Sequence, residues 1–159
     1  MERVVYAYVV ADLIHTGHIN ALENAKALGD KLIVGVLTDS ATMEKKPEPI
    51  VPFNERMAIV KALKVVDCVV AQETYSPLDN LKVIKPDVLV ENSSHEDVEN
   101  SPQVRYMLSQ GKKVVIFPYY SRQSSTLTKE KVKDHWRGPL QHSMIKERET
   151  EEKSWEVGN

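Results

Sequence analysis

The chain has 159 residues and a mass of 18.0 kDa, which suits one domain able to bury a core without disulfides or metals. Lys and Arg number 21 against 23 Asp and Glu, and a formal charge of −2 excludes the broad basic surface that coats nucleic acid or an anionic membrane. A hydrophobic content of 42% with 28% charged residues excludes a disordered or collagen-like chain, and no apolar run reaches the ~20 residues of a membrane span.

The N-terminus runs into a strand pattern at Val4 with no secretory signal ahead of it. Cys68 stands alone, so there is no internal disulfide. Together these predict a cytoplasmic protein.

Val4 to Val10 is a β-branched run and reads as a buried strand. From Gly17 to Leu28, apolar residues fall at Ile19, Leu22, Ala25 and Leu28; this predicts a helix that Gly29 ends. Lys31 to Thr38 predicts a second buried strand. Asp39 to Pro52 holds three prolines and reads as a loop. Phe53 to Val65 carries Met57, Val60, Ala62 and Leu63 at helical spacing. Asp67 to Ala71 predicts a third strand. Ser76-Pro77 predicts a helix start running to Ile84. Asp87 to Val90 predicts a fourth strand. Ser101-Pro102 repeats the helix-start signal, and that helix stops at Gly111. Lys113 to Phe117 predicts a fifth strand, and Thr126 to His135 a last helix.

Strands alternating with helices imply right-handed βαβ crossovers. The expected fold class is therefore α/β, a doubly wound and mainly parallel five-stranded sheet. The composition shifts near Gly138-Pro139, which predicts a domain over 1–139 and a charged helix or tail over 140–159. That tail holds 3 basic and 5 acidic residues, so it carries the whole charge deficit.

Ligands of open parallel sheets bind beyond the carboxyl ends of the strands, where strand order reverses. The six glycines are scattered and form neither GxGxxG nor a P-loop. The loop after the first strand reads Ala11-Asp12-Leu13-Ile14-His15-Thr16-Gly17-His18. Two histidines there straddle a helix N-terminus, with Gly17 permitting close approach. Such a terminus binds phosphate without a P-loop, and imidazoles add donors without fixed charge. Zinc is a poorer reading, because HxxH lacks a third ligand. Arg56 stands in the first turn of its helix, where the macrodipole disfavours a cation. It therefore calls for an anionic partner, which a substrate or the nearby Glu55 or Asp39 could supply. Ser124, Ser125 and Thr126 are good cap residues for the last helix and could serve an anion there too.

His15-Thr16-Gly17-His18, the helix ending Ala27-Leu28-Gly29-Asp30 and the strand ending Thr38-Asp39 resemble the nucleotidylyltransferase superfamily with the HxGH signature. The stretch is similar to the cytidylyltransferase branch in particular, as in glycerol-3-phosphate cytidylyltransferases and the cytidylyltransferase domains of phosphonate biosynthesis. The resemblance implies a Rossmann-like enzyme that transfers CMP from CTP to a small phosphate or phosphonate monoester. Glycerol 3-phosphate and 2-hydroxyethylphosphonate are the first acceptors it suggests. Pyrophosphate leaves, Mg²⁺ accompanies CTP, and no covalent enzyme intermediate forms.

By that resemblance, His15 and His18 hold the triphosphate and stabilise the pentavalent transition state. Lys45 or Lys46 bridges the phosphates of the two substrates, and Arg122 binds the triphosphate. Gly17, Arg56, Ser124, Ser125 and Thr126 complete the phosphate contacts. Asp12 orders its loop or approaches the metal. Val9, Val10, Ala11 and Asp12 stand where the family usually has Gly-Thr-Phe-Asp. Glu91, Asn92, Ser93, Ser94 and His95 stand where it often has Gly-Asp-Asp-Trp, beside the nucleoside. The resemblance also implies a homodimer. An adenylyltransferase acting on a cofactor precursor and a nucleotide-binding regulatory module without turnover are the alternatives.

Overall fold

The computed structural model describes residues 1–92, 97–118 and 125–136. In chain order its elements are β1 (Val4–Val9), α1 (Thr16–Lys26), β2 (Lys31–Leu37), α2 (Asp39–Met43), α3 (Phe53–Lys61), β3 (Cys68–Gln72), α4 (Leu78–Ile84), β4 (Val88–Asn92), a 3₁₀ turn (Val98–Asn100), α5 (Pro102–Ser109), β5 (Lys113–Phe117) and α6 (Ser125–Trp136). The chain divides into two units, Met1–Gln123 and Ser124–Asn159. The first holds the sheet, and α6 belongs to the second. The expected boundary after residue 139 and the charged segment beyond it lie outside the described residues.

All strand pairs are parallel, in the order β3-β2-β1-β4-β5. This is the doubly wound α/β sheet that the alternation predicts. Strand order reverses at β1, whose neighbours are β2 and β4. The two flanks of β1 differ. It pairs with β2 at six positions, from Val4↔Lys31 to Val9↔Val36. It pairs with β4 at two, Val5↔Val88 and Tyr6↔Leu89. The switch point therefore opens early, between the carboxyl-terminal halves of β1 and β4.

Alternation along the strands sends two residue sets to opposite faces. Val5, Ala7, Leu32, Val34, Val36, Val88 and Val90 meet Leu22 and Ala25 of α1 and Val60 of α3. Each fully buried Val or Leu there contributes about 1.5–3 kcal/mol. Tyr6 and Leu89 meet Leu81 of α4 and Met107 of α5 on the other face. Among the described residues no helix is long and apolar enough to cross a membrane.

Three local expectations change. The segment read as a loop from Asp39 begins with helix α2. Thr38 caps it, its Oγ1 accepting the Ala41 N–H at 3.1 Å, and Asp39 suits the positive end of the helix. Gly29 is not the left-handed stop of α1, which ends in right-handed geometry at Ala27. A Cβ on Gly29 would stand 2.6 Å from the Arg3 carbonyl oxygen, so close approach to the start of β1 demands the glycine. Finally, β4 starts at Val88 and continues to Asn92. Asp87 instead accepts the Val4 N–H at 2.9 Å and ties β4 to β1.

Candidate active site

The β1–α1 loop leaves the sheet through two left-handed residues, Ala11 (φ 61°) and Leu13 (φ 55°). A side chain in that region costs about 1–2 kcal/mol, so something must hold the turn. Asp12 does so. It is 3% exposed, and its two oxygens accept the backbone N–H groups of Ile50 and Val51, each at 3.0 Å. Of the two roles expected for Asp12, loop ordering is the one these bonds perform. The loop carrying Lys45 and Lys46 is thereby fastened to the loop carrying the histidines.

His15 is the N-cap of α1, in extended conformation. Its Nδ1 accepts the Gly17 N–H at 3.0 Å, and its own N–H donates to His18 Nδ1 at 3.3 Å. The imidazoles thus form a reciprocal capping box, with ring centroids 4.1 Å apart. Both Nδ1 atoms accept, so a neutral ring must carry its proton on Nε2. The box fixes two Nε2–H donors beside a helix N-terminus. Burial, then the neighbouring His15 and Lys46, push the His18 pKa down to about 4, with Asp12 opposing. Burial lowers that of His15 as well. The pair is therefore neutral at pH 7 and donates without titrating.

Arg56 is fully buried, at 0% exposure. Its Nη1 donates to the carbonyls of Val10 (2.6 Å) and Leu37 (2.7 Å), and its Nε to that of Val51 (2.9 Å). Its Nη2 meets Asp39 Oδ1 at 2.6 Å. Of the anionic partners weighed for Arg56, the structure supplies Asp39. The guanidinium clasps the ends of β1 and β2 and the loop before α3.

The two lysines diverge. The ammonium of Lys45 lies 4.8 Å from the centre of the Tyr75 ring, while the charge of Lys46 is felt at His18. Val9 closes β1 in register with Val36. Glu91 and Asn92 end β4, the former 2% exposed and the latter at the surface. Ser125 and Thr126 open α6 in the second unit. Arg122 and Ser124 lie outside the described residues. Among the described residues no three His, Cys, Asp or Glu converge as a metal-holding group.

Sequence reading alone misses several residues here. Tyr8 Oη donates to Glu91 Oε2 at 2.8 Å, and Gln103 Nε2 of α5 reaches Oε1 at 3.3 Å. Below them Tyr6 Oη donates to Gln72 Oε1 (2.8 Å) and accepts from Asn80 (2.8 Å). Gly35 makes room for this: a Cβ on it would stand 2.0 Å from Tyr6 Oη. Two tyrosines at alternate positions of β1, and a glycine inside β2, are the signals in the sequence.

A family model described as cytidylyltransferase-like matches residues 8–148. The chain belongs to the cytidylyltransferase-like family. Among curated relatives of this cytidylyltransferase-like chain, the bifunctional protein HldE of Proteus mirabilis is 39% identical over 65% of the chain, and that of Alcanivorax borkumensis 34% identical over 84%. The chain spans 23% and 28% of their respective lengths. The lipopolysaccharide core biosynthesis protein of Thermoplasma volcanium is similar in structure, with a TM-score of 0.64 and 28% identity over 77% of this chain and 100% of that one. The pantothenate synthetase of Thermus thermophilus shares the fold at a TM-score of 0.50 and 14% identity, over 75% of this chain and 56% of that one.

Proposed function

We propose that the chain transfers CMP from CTP to a small phosphate or phosphonate monoester and releases pyrophosphate. The reciprocal histidine box carries this reading: two neutral Nε2–H donors stand fixed at a helix N-terminus on the switch-point strand. An acceptor oxygen attacks the α-phosphorus. The bond from that phosphorus to the α–β bridging oxygen breaks, and pyrophosphate leaves with the electron pair. A phosphate monoester is largely a dianion at pH 7, its second pKa being about 6, so attack needs no general base. This agrees with histidines that donate rather than titrate.

His15 and His18 stabilise the charge that grows on the equatorial oxygens. Lys46 supplies a cation beside them, and Lys45 stands ready for the acceptor's phosphate. Gly17 keeps the helix terminus open to the triphosphate. Arg56 acts indirectly, by holding the loop and the strand ends. Arg122, Ser124, Ser125 and Thr126 take the β- and γ-phosphates, as in the family resembled. Val9, Val10, Ala11 and Asn92 flank the nucleoside, with Glu91 buried behind Tyr8. The oxygens of Asp12 are engaged by Ile50 and Val51, which fits a latch better than a metal cage. Mg²⁺ accordingly comes as part of the nucleotide substrate, neutralising phosphate charge. A homodimer is part of the same reading.

The test is pyrophosphate release across four nucleoside triphosphates with a panel of acceptors. The panel holds glycerol 3-phosphate and 2-hydroxyethylphosphonate. Sugar phosphates join them, because the similar Thermoplasma protein belongs to lipopolysaccharide core biosynthesis. Turnover with CTP is expected. Turnover with ATP alone overturns the cytidylyl assignment. His18→Asn keeps an acceptor for the His15 N–H but loses the outward donor. It should lower kcat by ~10²-fold with little change in nucleotide affinity.

A further inference from the structure

The switch point has a donating side and an accepting side. On the first stand the Nε2–H groups of His15 and His18. On the second, past the last β1–β4 pair at Tyr6↔Leu89, the side chains of Tyr8 and Glu91 reach across the opening. Glu91 is sealed from solvent, its other oxygen held by Gln103, so it meets no ligand itself. Tyr8 is half-buried. Its only proton is committed to Glu91, because a carboxylate can only accept. To any group that reaches it, the Tyr8 oxygen can therefore offer only lone pairs.

Burial pushes the phenol well above its usual ionisation range, and the charge of Glu91 adds to this. Burial also raises the pKa of Glu91, while its bonds to Tyr8 and Gln103 oppose the rise. Tyr8 packs against the cluster that holds Tyr6 and against the one that holds Tyr75, and Lys45 stands over the Tyr75 ring. A carboxylate in so dry a place repels a phosphate oxygen strongly. A neutral hydroxyl can donate to Tyr8 without that penalty.

Granting nucleotidyl transfer at this switch point, we propose that Tyr8 is a specificity-determining residue and Glu91 its positioning residue. The pair admits a hydroxyl group of a substrate and turns the phosphates toward the histidine side. The hydroxyl can come from the ribose of the nucleotide or from the body of the acceptor; the recognising chemistry is the same.

Calorimetric binding separates these sources without requiring turnover. One arm compares CTP with its 2′-deoxy and 3′-deoxy forms. The other compares glycerol 3-phosphate with propyl phosphate. The wild type should prefer the hydroxylated ligand by ~10-fold or more in at least one arm, since a site built to bind a hydroxyl discriminates strongly against its absence. Tyr8→Phe should abolish that preference. Glu91→Gln should reduce it, because an amide can donate to Tyr8 and free its proton to point outward. The ratio of two affinities on one protein sample cancels any loss of folded protein, so a merely structural role leaves it unmoved. A wild type with no preference in either arm, or a Tyr8→Phe variant that keeps the preference, overturns the proposal. Binding selectivity with no pyrophosphate release from any pair would instead count against the catalytic reading alone.

Discussion

On the α1/α3 face of the sheet, Val5, Ala7, Val34 and Val36 meet Leu22, Ala25 and Val60, and contact is by apolar area. On the α4/α5 face, hydrogen bonds of 2.8–3.3 Å join two separate sets, Tyr6 with Gln72 and Asn80, and Glu91 with Tyr8 and Gln103. Area is non-directional and tolerates exchange among side chains of similar volume. A chain of buried hydrogen bonds does not, because each broken link strands a desolvated group. The aliphatic face makes the sheet stable, whereas the polar face fixes where particular atoms stand at its carboxyl end.

The largest expected effect tests a charged group inserted on the aliphatic side, Arg56. Arg56→Met removes four donated bonds and leaves the Val10, Leu37 and Val51 carbonyls without them. Breaking such a buried set should cost about 3–5 kcal/mol in urea unfolding. A loss below about 1 kcal/mol, the scale of one ordinary hydrogen bond, would show that the clasp is as tolerant as its apolar surroundings.

Next comes Gly35→Ala, which forces a methyl into Tyr6 Oη and toward Gln72 Oε1. It should cost about 3 kcal/mol by overpacking and by loss of the Tyr6 bonds. Val34→Ala, one residue away on the aliphatic face, is the reference. A cost at Gly35 no greater than at Val34 would erase the contrast between the faces.

The smallest effect is in the pH dependence of stability. Around His18 stand His15, Lys46 and Asp12. Its pKa falls from 6.5 in the unfolded chain to about 4 in the fold. Between those values the unfolded chain binds the extra proton, so stability declines as pH falls from about 6.5 toward 4. Above that window His18 adds no slope. His18→Asn should flatten the decline in thermal melts, and an unaltered slope would mean that the histidine box is solvated rather than dry.

Much of this arrangement is legible in the residues. The aliphatic runs give all five strands, because strands buried on both faces carry little else. His15 and His18 are visible as a pair beside a helix start, and the structure adds the reciprocal bonds that set their tautomers. The capped turn from Asp39 is hidden by the prolines that follow it, since the Thr38 cap acts within its own first turn. Arg56 announces a need for an anion by standing at the wrong end of a helix, but only packing selects Asp39. The polar face is the hardest to read. Tyr6 and Tyr8 sit among valines. Their partners Gln72, Asn80 and Glu91 lie 66, 74 and 83 positions further along the chain, with nothing local to join them.

Val51 is gripped from both sides, its N–H by Asp12 and its carbonyl by Arg56. At the other end of the same loop, the N–H groups of Lys45 and Lys46 both donate to the Thr42 carbonyl. Between these anchors run Pro47, Glu48 and Pro49, two of them with fixed φ. The lysine loop is thus a short, stiff bridge pinned at each end, and its ordering entropy is met during folding rather than on encounter. On the proposed function, the backbone that carries Lys45 and Lys46 is set before a substrate phosphate arrives, and affinity there should depend on charge and distance more than on any closing of the loop.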